Sequence, residues 1–196
     1  MIEEAPNNMD LFDLEDPSSL IRRVLIKDNK NINLKEFLET RFIIPADYDI
    51  KEFNLKEGNS LEINSLMDDK MQKFQSAGYL ENIYTPIYEA ILNAHQHGNK
   101  HDLNKKIRFA YKLSDSNLNI LIEDEGGIID SVFMLFILKH REAEFNKKSI
   151  NFYKFSQRQK PEKNNGTGTS FMHIYMDKIN YYLGEYGLIV SMIKDK

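Results

Sequence analysis

The chain has no cysteine. That excludes disulfides, thiolate nucleophiles and zinc–thiolate centres, and it suits a cytoplasmic protein. It also lacks a long apolar run. The longest, 128–138, is interrupted by Asp130 and falls well short of the roughly 20 residues that cross a bilayer. The N-terminus carries no basic stretch followed by an apolar core, so it does not read as a secretory signal. An excess of positive charge is missing too. A net charge of −4 over 196 residues gives no electrostatic footprint for nucleic acid, and neither nucleic acid nor membrane is expected as a partner. What is present is ordinary for a soluble globular chain, at 41% hydrophobic and 29% charged residues, enough for one domain with an appendage.

Residues 1–16 hold six acidic side chains and no basic one, which predicts a disordered or loosely docked tail. Asp16-Pro-Ser-Ser then signals a turn or helix start, with Ile21, Val24 and Leu25 at helical spacing. Residues 1–39 therefore form a tail and a small appended element, and 40–196 the main domain. Within the latter the patterns predict a strand at Thr40–Ile44 stopped by Pro45, and a helix at Leu66–Ala77 closed by Gly78. A second helix is predicted over 80–97. A hairpin at Ile107–Leu113 and Leu118–Glu123 follows, then a helix at 169–180 and a final hairpin at Ile179–Leu183 and Leu188–Ile193. An α+β two-layer sandwich is the economical solution, with a mixed, mostly antiparallel sheet and helices on one face.

The helix over 80–97 contains Glu89-Ala-Ile-Leu-Asn93-Ala-His-Gln-His97-Gly98. On a wheel, Ile83, Ile87, Ala90, Ile91 and Ala94 form an apolar stripe. Glu89, Asn93, Gln96 and His97 form a polar stripe beside it. Such a stripe is either a solvated edge or the lining of a polar site. His95 and His97 point to opposite sides of the helix, so they cannot share a metal with His101. Two later segments weigh toward a site. Leu118, Ile120 and Ile122 alternate along a strand that runs into Asp124-Glu-Gly126-Gly127. Then Asn164-Asn-Gly166-Thr167-Gly168-Thr169-Ser170 opens a helix. No Gly-Lys-Ser/Thr follows, so this is not a Walker A loop, and the third glycine of a dinucleotide fingerprint is missing.

An Asn-bearing helix, a strand ending in Asp-x-Gly and a Gly-x-Gly helix start, in that order, resemble the nucleotide site of the GHKL superfamily. That superfamily comprises gyrase, the heat-shock chaperone, histidine kinases and MutL. The run from Glu89 to Gly98, and Gly168 with Met176-Asp177-Lys178-Ile179 downstream, are most similar to the anti-sigma-factor serine kinases. The likeness spans about residues 40–196 and implies a Bergerat-type ATP-binding fold. It further implies ATP and Mg²⁺ as ligands, a regulatory protein as partner and a homodimer. Asp124 would accept a hydrogen bond from the adenine amine, which a guanine carbonyl cannot offer. Gly126 and Gly127 would let backbone approach the purine. Gly166 and Gly168, with Thr167, Thr169 and Ser170, would cradle phosphate at a helix N-terminus. Asn93 would ligate Mg²⁺, and Glu89 would serve as general base. His97 and Lys100, at the helix end, are within reach of phosphate.

Forty-one residues separate Asp124 from Gly166, the place of the nucleotide lid in this superfamily. The first part, Ile128–Leu138, is apolar and needs cover from the core or a second subunit. The second, Lys139–Lys163, holds eight basic and three acidic side chains. A mobile lid closing over phosphate is the expected behaviour. The chain departs from the superfamily pattern in two ways. Asp124-Glu-Gly-Gly-Ile is one residue short of the usual Asp-x-Gly-x-Gly box, and the lid is long. The reading that results is an ATP·Mg²⁺-dependent serine/threonine kinase of a small regulatory protein. The alternative is a nucleotide-dependent binding switch without catalysis.

Overall fold

The computed structural model describes residues 10–13, 31–37, 41–57, 59–161 and 165–196. The remainder of the acidic tail and the helical spacing around Ile21 fall outside the described residues. Strand β1 (Asn31–Asn33) runs into a single helical turn α1 (Leu34–Phe37). Strand β2 (Asp49–Phe53) precedes helix α2 (Ser60–Ser76), and a 3₁₀ turn (Glu81–Ile83) leads into α3 (Tyr84–Asn93). The hairpin β3 (Ile107–Leu113) and β4 (Asn117–Asp124) follows. Next come β5 (Ile128–Asp130), α4 (Ser131–Arg141), α5 (Phe152–Ser156) and α6 (Gly168–Tyr175). Strands β6 (Lys178–Leu183) and β7 (Leu188–Asp195) close the chain.

Five strands form one sheet in the order β2-β3-β4-β7-β6, every pair antiparallel. A second, two-stranded sheet pairs β1 with β5. Among the described residues the one parallel contact is an isolated bridge, Phe42 to Gly184. The fold is the expected α+β sandwich. Inward residues alternate with outward ones: Ile107, Phe109 and Tyr111 on β3, and Leu118, Ile120 and Ile122 on β4, are buried against Ile63, Met67 and Phe74 of α2 and Ile87 and Ile91 of α3. On the other face Ala110, Leu121 and Ile189 are covered by Phe42, Ile44, Tyr48 and Tyr182. No helix among the described residues is long and apolar enough to cross a membrane.

Three boundaries differ from the sequence expectation. The expected strand at Thr40–Ile44 is reduced to the Phe42 bridge, because this segment folds over the outer face of the sheet instead of extending it. The edge strand is β2, Asp-Ile-Lys-Glu-Phe, whose charges suit an exposed edge. Helix α2 starts six residues earlier than expected. Asn59 caps it by accepting the N–H of Glu62, and the Glu62 carboxylate accepts the N–H groups of Lys56 and Glu57. Helix α6 stops at Tyr175, where Met176 turns extended and starts the final hairpin.

Strand β6 lies at the sheet edge, and its three outward-pointing carbonyls are engaged. The carbonyl of Ile179 accepts from Arg141, that of Tyr181 from the N–H of Leu11, and that of Leu183 from the N–H of Phe42. Three separate parts of the chain thus cover one edge. The apolar run 128–138 is covered by its own chain. Phe133 and Phe136 pack against Phe152, and Phe136 also against Phe155, leaving Leu135 at 41% exposure.

Candidate functional site

Helix α3 places the polar stripe. Ile83, Ile87, Ala90 and Ile91 are buried against the sheet, so Glu89 and Asn93 turn to one side of the core. Pro86 sits in the first turn, where its missing N–H has no partner to lose. After Asn93 the backbone widens into a π turn, Ala94–Gly98, a feature frequent at functional sites. Its end is pinned by Asn99, which is buried, donates to the carbonyl of Lys106 at 2.9 Å and accepts the N–H of Glu125 at 2.8 Å. Lys100 and His101 then take left-handed backbone angles (φ 56° and 59°) to leave the helix. Glu89, Asn93, Gln96, His97, Gly98 and Lys100 all line one cavity of about 540 Å³, within the size range of small-ligand sites. His95 is buried on the other side, its ring edge-on to His101. Among the described residues no cluster of three His, Cys, Asp or Glu side chains is arranged to hold a metal.

Strand parity brings Asp124 into the same cavity. It follows Leu118, Ile120 and Ile122 in phase, so it faces the helices at the strand end. Its side chain is 3% exposed. Oδ1 accepts three backbone N–H groups, from Gly126 at 2.8 Å, Gly127 at 2.9 Å and Leu188 at 3.3 Å. No described residue donates to Oδ2, which lies against Gly98 so closely that a methyl group there would overlap it. Burial pushes this carboxyl up to about 6; the backbone donors oppose the shift and the neighbouring Glu123 adds to it. Glu123 points to the opposite face, where Arg108 at 3.0 Å and the N–H of Tyr186 at 2.7 Å hold it.

The third side of the cavity is the start of α6. Asn165, Gly166, Thr167, Gly168 and Thr169 line it. Thr167 makes no side-chain cap, and the first helical bond is Phe171 N–H to the Thr167 carbonyl. The first-turn N–H groups thus face the cavity uncapped, where the macrodipole favours an anion. Gly168 lies so close to Glu89 that a Cβ there would push the carboxylate aside. That contact joins the Asn-bearing helix to the glycine loop. Glu89 has no hydrogen-bond or ionic partner among the described residues, and burial raises its carboxyl above the usual range.

Three expected contacts fall elsewhere. Ser170 does not line the cavity. Its hydroxyl is fully buried, donates to the carbonyl of Ile150 at 2.6 Å, accepts the N–H of Ile150 at 3.0 Å and meets His140 Nε2 at 3.0 Å. With the hydroxyl proton committed to Ile150, His140 is the donor in the last pair. Ser170 therefore latches the lid to α6. Replacing it with Ala is expected to cost about 1–3 kcal/mol of stability by stranding these groups, with nucleotide affinity changed less than twofold; thermal unfolding and calorimetry read the two. Gly126 and Gly127 also stand one step back from the cavity, because their N–H groups orient Asp124.

The lid contributes residues the motifs did not reveal. Phe133, Phe152, Tyr153, Arg158 and Gln159 line the cavity, as does Tyr181 from β6. Arg158 makes a two-pronged bond to Asp130 at 2.8 and 3.2 Å. Other lid cations are used elsewhere: Arg141 on Asp10, Lys139 on Glu142, and Lys147 on the last carbonyls of α6, at His173 and Met176. The net positive charge of the segment was readable, but its division between structure and cavity depends on contacts far apart in sequence.

The residues present fit an adenine nucleotide. Asp124 Oδ2, a buried acceptor with no donor among the described residues, sits at one wall, an uncapped helix start at another, and the Asn93 carbonyl, also without a donor among the described residues, between them. Comparison with curated proteins gives no match. A family model described as the histidine kinase-like ATPase domain matches residues 76–194, more than half of the chain. It covers α3, β3, β4, the lid, the glycine loop and the final hairpin, which are the elements that build the cavity. The chain belongs to the histidine kinase-like ATPase domain family of the GHKL superfamily, a family that implies ATP binding.

Proposed function

We propose that the protein uses ATP·Mg²⁺ to phosphorylate a serine or threonine on a small regulatory partner, as the anti-sigma-factor kinases do. The observation that carries this reading is the half-buried Glu89 carboxylate, unpaired among the described residues and packed on Gly168 beside the uncapped start of α6. A protein that only held nucleotide would have no use for an unpaired carboxylate at the phosphate end. Burial without a counter-charge makes Glu89 a stronger base, suited to accept the proton of an attacking hydroxyl. Asn93 would hold Mg²⁺, which supplies charge neutralisation at the phosphates. Lys100, His97 and the start of α6 line the same cavity, and they would offset charge on the transferred group. The homodimer and the cytoplasmic setting implied by the resemblance belong to the same proposal.

The competing reading is a binding switch without phosphotransfer. The short glycine box favours it, since the Gly126 and Gly127 N–H groups are spent on Asp124. One experiment separates the two. Calorimetry with ATP and GTP in Mg²⁺ is expected to show binding of ATP alone. Incubation of the protein and lysate with γ-labelled ATP is then expected to label serine or threonine in one small protein. Tight ATP binding with no transferred label would favour the switch.

A further inference from the structure

Asp130 and Arg158 both line the cavity and hold each other there. Arg158 Nη1 donates to Asp130 Oδ2 at 2.8 Å, and Nη2 donates to Oδ1 at 3.2 Å. The two ends of this bridge are built differently. Asp130 is fixed. It ends β5, which pairs with β1, and its Oδ1 caps α4 by accepting the N–H groups of Val132 at 2.8 Å and Phe133 at 3.2 Å. Arg158 stands after α5, outside any helix or strand. Helix α5 brings it to the glycine loop. The Phe152 N–H donates to the Gly166 carbonyl at 2.7 Å, and Asn151 Nδ2 donates to that of Asn165 at 2.7 Å. Gln157, at a left-handed φ of 55°, ends the helix, and Arg158 follows. The guanidinium thus shares the cavity with the uncapped start of α6, yet both of its prongs are spent on a carboxylate.

A guanidinium fork pairs as well with phosphate as with carboxylate. We propose that Asp130 competes with the phosphates of the nucleotide for Arg158, so that this pair sets how tightly a phosphorylated nucleotide is held. The inference rests on the reading of the cavity as an ATP site. Charge gives the direction of the exchange. Asp130 offers a single negative charge, and the two side chains are 28% and 39% exposed, so the pair is weak. A triphosphate offers several charges at once. Asp130 also loses little when the arginine leaves, because Oδ1 keeps the two N–H groups of α4. The exchange needs only the Arg158 side chain to swing, while α5 stays bound to the glycine loop. Asp130 is thus a positioning residue that acts through Arg158.

Calorimetry of the full chain in Mg²⁺, with ATP and with adenosine, tests the competition. Arg158→Gln is expected to weaken ATP binding about ten- to a hundredfold, the worth of charged hydrogen bonds to phosphate. Asp130→Asn keeps the cap through its side-chain oxygen and removes the rival charge. ATP binding is then expected to tighten about two- to fivefold, the scale of an exposed ion pair. Adenosine has no phosphate and is expected to bind the wild type and both variants alike. A crystal structure of the wild type with a non-hydrolysable ATP analogue is expected to show Arg158 on phosphate and Asp130 still on Val132 and Phe133. Undiminished ATP affinity in Arg158→Gln, no gain in folded Asp130→Asn, an equal change for adenosine, or an arginine still on Asp130 beside the bound analogue each overturns the proposal. A wild type that binds neither ligand overturns the ATP-site reading itself, and the proposal with it. Should Asp130→Asn not fold, Asp130→Ser also caps a helix without charge and carries the same expectation.

Discussion

Asp124→Asn is expected to weaken ATP binding about ten- to a hundredfold while leaving the empty protein at least as stable at neutral pH. The amide carbonyl can replace Oδ1 and keep the N–H groups of Gly126, Gly127 and Leu188. The NH₂ group then stands where Oδ2 was, against Gly98, and presents a donor to the adenine amine, itself a donor. Two buried donors facing each other lose a hydrogen bond and strand a polar group, about 1–3 kcal/mol in all. The stability arm follows from the raised carboxyl of Asp124, at about 6 against an ordinary 3.8. The folded state binds this proton more tightly than the unfolded state. The ionised carboxylate therefore destabilises the fold. That cost is absent below pH 4, grows as pH rises from about 4 to 6, and is complete above. The substitution removes it, so the variant's relative stability should rise with pH across that window and level off. A titration of melting temperature from pH 4 to 8, beside calorimetry with ATP, measures both. Undiminished affinity in the variant would dismiss Asp124 as the adenine reader.

Glu89→Gln is expected to lower phosphotransfer or hydrolysis by a factor of about 10²–10⁴, the usual worth of a general base, with ATP affinity nearly unchanged. Gln has the same shape and keeps the packing on Gly168, so only the proton acceptor is lost. Asn93→Ala should behave in the opposite way. It removes a neutral oxygen and should abolish the Mg²⁺ dependence of binding before any turnover is considered. Rapid-quench kinetics with calorimetry on both variants distinguish the roles. Full turnover by Glu89→Gln would show that the base lies elsewhere.

The parts of the site that were legible in the sequence are those set by local periodicity. The 3.6-residue pattern put Glu89, Asn93, Gln96 and His97 on one stripe, and the cavity is lined by all four. The two-residue pattern of β4 carried Asp124 to the inner face. The glycine loop stood at the start of α6, where it was expected. The illegible parts depend on distant contacts. Strand β2 is charged because it is an edge, and its alternation is therefore faint. Ser170 looks like a phosphate donor in its motif, yet Ile150 and His140 arrive from twenty and thirty residues upstream to claim it. Arg158 and Tyr181 reach the cavity by the folding of the lid and the position of β6, which no motif encodes. The burial of Leu11 and Phe12 in a turn was hidden by their acidic surroundings, for charge composition describes a segment's average and not its two apolar side chains.

Gly98 and Gly126 carry a consequence for how such a protein can diverge. A methyl group on Gly126 would overlap the carbonyl of Gly98, and one on Gly98 would overlap the Asp124 carboxylate. The three positions belong to two separate motifs, yet they share one small volume. A lineage that lost the need to read adenine could replace Asp124 with a smaller residue, and only then would Gly98 be free to drift. Gly126 would stay constrained, because it meets backbone that no side-chain change removes. Loss of nucleotide recognition would thus be recorded in order, at 124 before 98, with 126 silent throughout.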